Sequence, residues 1–278
     1  MTEITAHHGL FRNTDLHVDD TGGPGRPVVL IHGWPLSGEA WKGQVPVLEQ
    51  AGYRVVTYDR RGFGRSDQPG RGYTYDTLTE DLHALIEALD LQDVTLVGFS
   101  MGGGEVARYF PLYGADRLHS VVFASAVPPY LMHTPGNPQG PLQPAEAAKM
   151  TAALTADQDS FYDNFVTAFF SAGGELKVTE EQRQEALALC RQADKKAALA
   201  CMAAFGSTDF RDDLPKVSVP ALVLHGDADE TVPFEGSGQR THAAIPGSEL
   251  YLIGGGPHGC NVSHAGEWNG ALLDFLAR

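Results

Sequence analysis

Gly98-Phe99-Ser100-Met101-Gly102 follows the apolar run Val94-Thr95-Leu96-Val97 and precedes a stretch, Gly104 to Tyr113, that reads as a helix. A serine between two glycines at a strand-to-helix turn has a specific physical meaning. Its backbone is strained, and its neighbours pack too closely for Cβ atoms. Such a turn exposes the Ser100 hydroxyl and aims the Met101 N–H, at the helix start, at any negative charge developing nearby. The ordinary alternative is a turn serine in a glycine-rich loop; the strand before it and the helix after it argue against that.

Working outward, the same kind of apolar run recurs at Pro27–Ile31, Arg54–Tyr58, Val121–Ala124, Ala221–Leu224 and Leu250–Ile253. Unbroken runs of four or five such residues predict strands buried on both faces, as in a parallel sheet. Leu78, Leu82, Leu85, Ile86 and Leu89 mark one face of a helix, with Asp76 or Thr77 as N-cap, and an amphipathic helix is expected from His264 to Arg278. The alternation predicts an α/β fold: a mostly parallel, doubly wound sheet with right-handed crossovers. From 128 to 215 no strand pattern occurs. Prolines open that segment, and Ala-rich helical sequence with Phe161, Phe165, Phe169 and Phe170 follows. It reads as a helical cap inserted into a core of 1–127 and 216–278, although aromatics at that spacing also suit plain core packing.

A serine hydroxyl is a poor nucleophile without a base. In this chain order the acid should come before the histidine, each in a loop after a late strand. His225-Gly226-Asp227-Ala228-Asp229 and Gly256-Pro257-His258-Gly259 fit. Asp229 is read as the acid and His258 as the base. Asp227 competes as acid, with bonding of its own loop as the ordinary role; His264, at a helix start, competes as base. The second oxyanion donor should follow an early strand, at His32-Gly33-Trp34-Pro35. Pro35 has no N–H, which leaves the Trp34 N–H opposite that of Met101. His32 is read as bracing that loop.

Composition narrows the rest. The 278 residues carry 20 Lys+Arg against 35 Asp+Glu, a formal net charge of −15, and 42% are apolar. The chain is too apolar for disorder and too acidic for a general nucleic-acid binder. Cys190, Cys201 and Cys260 are odd in number and lack C-x-x-C spacing, so neither a disulfide framework nor a zinc site is expected. Neither a signal-peptide pattern at Met1 to Leu10 nor a membrane-spanning run is found, and a cytoplasmic protein is expected. Gly62-Phe63-Gly64 lacks the third glycine of a dinucleotide site, and His7-His8 reads as a tail rather than a metal pair. No metal or cofactor is expected.

These stretches, with Tyr58-Asp59-Arg60-Arg61-Gly62-Phe63-Gly64-Arg65-Ser66, Gly102-Gly103-Gly104-Glu105, Asp209-Phe210-Arg211 and Val232-Pro233-Phe234, resemble the α/β-hydrolase superfamily over nearly the whole chain. Within it the chain is most similar to the cofactor-free, non-heme bacterial haloperoxidases and their arylesterase relatives. The resemblance implies Ser100, Asp229 and His258 as the triad, with the backbone of Trp34 and Met101 as the oxyanion hole. It implies ester hydrolysis through an acyl-enzyme. The proline after Trp34 adds perhydrolysis, with hydrogen peroxide in place of water. An apolar acyl pocket is expected from Trp34, Phe165, Phe169, Phe205, Val232 and Phe234, and Val127 stands where relatives often carry an aromatic. The expected partners are thus a small ester or acyl substrate and peroxide, without nucleic acid or membrane; a homo-oligomer is compatible with the reading. Lactam or amide hydrolysis, carbon–carbon bond hydrolysis, hydroxynitrile lysis and a non-catalytic binding relative stay open from sequence.

Overall fold

The computed structural model describes residues 2–7 and 13–278. The side chains of the His7-His8 pair lie outside that description. In chain order the elements are β1 (Thr2–His7), β2 (Asn13–Asp20), β3 (Pro27–Ile31), α1 (Val45–Gln50), β4 (Arg54–Tyr58), α2 (Tyr75–Ala88), β5 (Val94–Phe99), α3 (Gly102–Tyr113) and β6 (Leu118–Ala124). Then come α4 (Pro144–Ala156), α5 (Gln158–Phe169), the two-residue strands β7 (Ser171–Ala172) and β8 (Glu175–Leu176), α6 (Glu180–Cys190) and α7 (Lys195–Ser207). The chain closes with β9 (Ala221–Gly226), α8 (Gly238–Ala244), β10 (Glu249–Ile253), α9 (Cys260–Ser263) and α10 (Ala265–Leu276).

Eight strands form one sheet in the order β1-β2-β4-β3-β5-β6-β9-β10. From β4 to β10 neighbours are parallel; β1 and β2 are antiparallel additions at one edge. All six apolar runs are strands of the parallel part, but the last, β10 at the sheet edge, is not buried on both faces as expected: Leu250, Tyr251 and Leu252 are exposed. β5 and β9 are buried along their whole length, which is why neither alternates. β2 does alternate: Thr14, Leu16 and Val18 point inward, while Asn13 and Asp15 are exposed.

Local chemistry sets the helix starts. α2 begins two residues before Thr77, because Thr74 is the cap and accepts the Thr77 N–H, while Tyr75 is buried against Phe210. α3 begins at Gly102 rather than Gly104. Its three leading glycines are poor helix formers, but contacts require them: a Cβ would lie 2.4 Å from Ala126 Cβ at Gly103 and 2.3 Å from the Tyr75 ring at Gly104. Between β6 and β9 the chain is helical, as expected, apart from the small β7–β8 hairpin. Among the described residues, no helix is long and apolar enough to cross a membrane. The loops after β3, β5, β9 and β10 all leave the carboxyl ends of parallel strands, where open α/β sheets assemble their sites.

Candidate active site

Ser100 sits at φ 54°, a left-handed conformation that a non-glycine residue adopts only under constraint. The constraint is visible on both sides. A Cβ at Gly98 would meet the Gly102 carbonyl at 2.6 Å, and one at Gly102 would meet the Ile31 carbonyl at 2.6 Å. The Ser100 N–H donates to the Ala124 carbonyl, and its own carbonyl accepts from Gly103 and Val127. The turn is therefore tied to β6 and to α3.

The hydroxyl meets a histidine from the loop after β10. Ser100 Oγ lies 2.9 Å from His258 Nε2, and His258 Nδ1 lies 2.7 Å from Asp229 Oδ2 in the loop after β9. All three side chains are buried. Asp229 Oδ1 accepts the N–H groups of Thr231 and Val232 at 2.9 and 2.8 Å. Burial alone would raise the Asp229 carboxyl; the facing His258 and hydrogen bonds from His225 and His258 overcome that and hold it below the ordinary carboxylate range. The His258 ring is fixed by Phe99 at 5.2 Å and by the edge of Phe169 at 5.0 Å. A hydroxyl, an imidazole and an ionised carboxylate in this line can move a proton off the oxygen and stabilise the resulting imidazolium.

The competing residues lie elsewhere. Asp227 is exposed, and its Oδ1 accepts the Gly255 N–H at 2.6 Å, an ordinary loop brace. His264 caps α10 and pairs with the Ser263 hydroxyl at 2.9 Å.

Near Ser100, the backbone N–H groups of Trp34 and Met101 have no hydrogen-bond acceptor among the described residues. The Trp34 loop abuts Ser100, since a Cβ on Gly33 would come 3.1 Å from Ser100 Cβ. His32 braces it. Its Nδ1–H donates to the Gly33 carbonyl at 2.8 Å, and its Nε2 accepts the Arg60 N–H at 2.9 Å. Burial, with the Arg60 charge, pushes the His32 imidazole down to about 3. Arg60 is itself fully buried. It donates to the His32 carbonyl and pairs with Glu105 in the first turn of α3, which also accepts the Tyr58 hydroxyl at 2.7 Å. One buried charge network thus joins the loop after β3 to the helix after β5. Sequence reasoning quoted Arg60 and Glu105 but assigned them nothing: Arg60 follows the end of β4 and Glu105 lies within α3, and neither position marks a charge as buried.

Over Ser100 lies a cavity of about 560 Å³. Trp34, Val127, Phe165, Phe205 and Val232 line it with Ser100 and His258, and Phe161, Leu131, Leu142 and Met150 extend it. The Trp34 ring packs against Phe165 and Phe205 at 5.2 and 5.7 Å, and its indole N–H donates to the Ala198 carbonyl of α7. Two expected lining residues do not line it. Each four-residue step along a helix advances 40° beyond a full turn, so Phe169 is rotated about 80° from Phe161 and faces Phe99 and the His258 edge instead. Phe234 packs edge-on against His225 at 5.6 Å. Among the described residues no group of three or more His, Cys, Asp or Glu is placed to hold a metal. Cys190, Cys201 and Cys260 are buried and free, and burial pushes the Cys201 and Cys260 thiols up to about 12.

The α/β hydrolase fold family profile matches residues 26–265. A bromoperoxidase from Bacillus anthracis has the same structure at a TM-score of 0.95, with 52% identity and 100% of both chains covered. A non-heme chloroperoxidase of Kitasatospora aureofaciens is 41% identical over 257 residues, 91% of this chain and 93% of that one. A bifunctional esterase/perhydrolase of Acinetobacter calcoaceticus is 36% identical over 279 residues, 99% of each chain.

Proposed function

The chain belongs to the α/β-hydrolase fold family, and from that premise we propose that it cleaves carboxylic esters through an acyl-enzyme on Ser100 and also forms peracids from hydrogen peroxide. The observation that carries the reading is the unbroken line from Ser100 Oγ through His258 to Asp229 at the base of an apolar cavity.

In this reading Ser100 Oγ attacks the ester carbonyl while His258 Nε2 takes its proton. The carbonyl oxygen becomes an anion that accepts from the N–H groups of Trp34 and Met101. As the tetrahedral centre collapses, His258 returns the proton to the leaving alcohol, and the acyl group stays on Ser100. Water, or hydrogen peroxide, then attacks with His258 again as base, and an acid or a peracid departs. Asp229 stays ionised throughout, holding the Nδ1–H tautomer. The peracid oxidises halide outside the protein, so the halide needs no binding site. Trp34, Phe165, Phe205 and Val232 would hold the acyl group. Segment 128–215 acts as a cap, over a core of 1–127 and 216–278. Three buried free thiols support a reducing compartment, the cytoplasm.

The test is Ser100→Ala. Hydrolysis of p-nitrophenyl acetate should fall by about 10⁵- to 10⁶-fold in kcat. Bromide oxidation driven by acetate and peroxide should vanish with it. Hydrolysis retained at the native rate would overturn the acyl-enzyme, and bromide oxidation that survived alone would overturn the peracid route.

A further inference from the structure

Asp229 is met by two imidazoles. His225, near the end of β9, is fully buried. Its Nε2 lies 2.9 Å from the Val232 carbonyl and 3.3 Å from Asp229 Oδ2, the oxygen that His258 Nδ1 approaches to 2.7 Å. Its Nδ1 is buried with no hydrogen-bond partner. An orphaned polar atom in a core weakens the fold, so packing alone gives no reason for an imidazole here rather than an apolar ring. The surroundings fix the ring. Phe234 meets it edge-on, and α8 approaches so closely that a Cβ on Gly238 would lie 2.6 Å from Nδ1.

We propose that His225 is a positioning residue for Asp229, its Nε2–H shared between the Val232 carbonyl and Asp229 Oδ2. The inference rests on the triad reading above. It has a geometric and an electrostatic part. Val232 also supplies one of the N–H groups on Asp229 Oδ1, so His225 holds the turn that clamps one oxygen while it touches the other. The carboxylate is then fixed in rotation at both ends. Electrostatically, a second N–H on Oδ2 draws away part of the charge that would otherwise stabilise an imidazolium at His258. Without that N–H the base stays protonated to higher pH, and the acid limb of the pH–rate profile moves upward. Other ionisable groups also face this pair. Cys260 of α9 lies beside Asp229, Ser100 faces His258 from the turn after β5, and Glu230, with Glu146 and Lys149 of α4, lines the same cavity as His258. All are left in place by the variants below, so a difference between variants reports His225.

The experiment is the pH dependence of kcat/KM for p-nitrophenyl acetate in His225→Phe, His225→Asn and His225→Gln, with a thermal melt of each. The glutamine amide nitrogen reaches the position of Nε2; the asparagine amide reaches only that of Nδ1. For Phe and Asn the acid limb should rise by about half a pH unit to one unit, the effect of one hydrogen bond on a charged partner. Their kcat should fall by about tenfold with KM little changed. Gln should restore both. An acid limb unmoved in folded Phe and Asn variants would overturn the proposal, as would Gln behaving like Asn; where Phe does not fold, the Asn and Gln pair decides. Failure of the triad reading is separate, because it would appear as activity retained in Ser100→Ala.

Discussion

Replacing His32 by leucine should lower fold stability and catalytic rate together, with KM little changed. The Gly33–Trp34 peptide is trans, so its C=O and N–H point in opposite directions. Two donors hold the Gly33 carbonyl: His32 Nδ1–H at 2.8 Å and the Leu36 N–H at 3.0 Å. Holding the oxygen holds the Trp34 N–H. Leucine removes one of those donors and leaves the buried Arg60 N–H without its acceptor at 2.9 Å. The lost bond is worth about 1 kcal/mol and the orphaned donor about 1–3, so roughly 2–4 kcal/mol of stability should go. For a chain of this size that is about 5–15 °C in Tm. A complete oxyanion donor is worth about 10²–10³ in kcat. With one anchor left, the peptide plane is loosened rather than lost, and kcat should fall about 10- to 100-fold. KM should change little, since the N–H acts on charge present only in the transition state. Burial and Arg60 keep the imidazole near 3, so the effect should be flat across the assay range above that value. A thermal melt and p-nitrophenyl acetate kinetics on one preparation decide it. A kcat within about twofold of native, in a variant that has lost the expected stability, would mean that Leu36 alone fixes the plane and that the brace stops short of the site.

The two aspartates of the loop after β9 should separate cleanly. Asp229→Asn should lower kcat by about 10⁴ because the amide favours the wrong histidine tautomer, whereas Asp227→Asn removes one exposed loop bond and should cost less than about threefold; the reverse order in steady-state kinetics would give Asp227 the acid's role. Asp59 predicts a pH dependence of stability. Burial pushes its carboxyl up, but the Arg65 guanidinium and N–H and the Gly38 N–H more than offset that and hold it below 3.8. With a folded pKa below the unfolded one, its contribution is complete above about 3.8 and is lost as pH falls through the lower folded value. Urea unfolding of Asp59→Asn should therefore show a deficit at neutral pH that closes in acid, and a deficit independent of pH would refute the assignment.

What could be read of the fold followed how many faces each element buries. Strands buried on both faces, such as β5 and β9, appear as unbroken apolar runs and were legible. β2 buries one face, and its pattern of Thr14, Leu16 and Val18 between polar residues carries half the signal. The short α1 and α8 hold too few residues for a helical period to show. Between residues 128 and 215 the helical character was legible but not its rotation. Phe161, Phe165 and Phe169 look equivalent at a four-residue spacing, yet the 40° drift per step sends the first two to the cavity and the third to the His258 edge.

Within the site, the same division falls between demands made by the local backbone and demands met across the fold. Ser100 at φ 54° cannot exist without small neighbours at 98 and 102, so the turn announces itself in five consecutive letters. Asp229 and His258, which the structure brings together with Ser100, could be singled out because each follows its own strand. Arg60 and Glu105 are 45 residues apart, and each alone reads as an ordinary surface charge. Only the fold brings them together, and once buried neither tolerates the loss of the other: removing one leaves a charge without a partner in the core, a cost of about 3–5 kcal/mol. Glu105 belongs to the helix that begins after the Met101 N–H, and Arg60 to the brace behind the Trp34 N–H. The buried pair therefore ties the loop that carries the Trp34 N–H to the helix that follows the Met101 N–H, through a pairing that no local stretch of sequence contains.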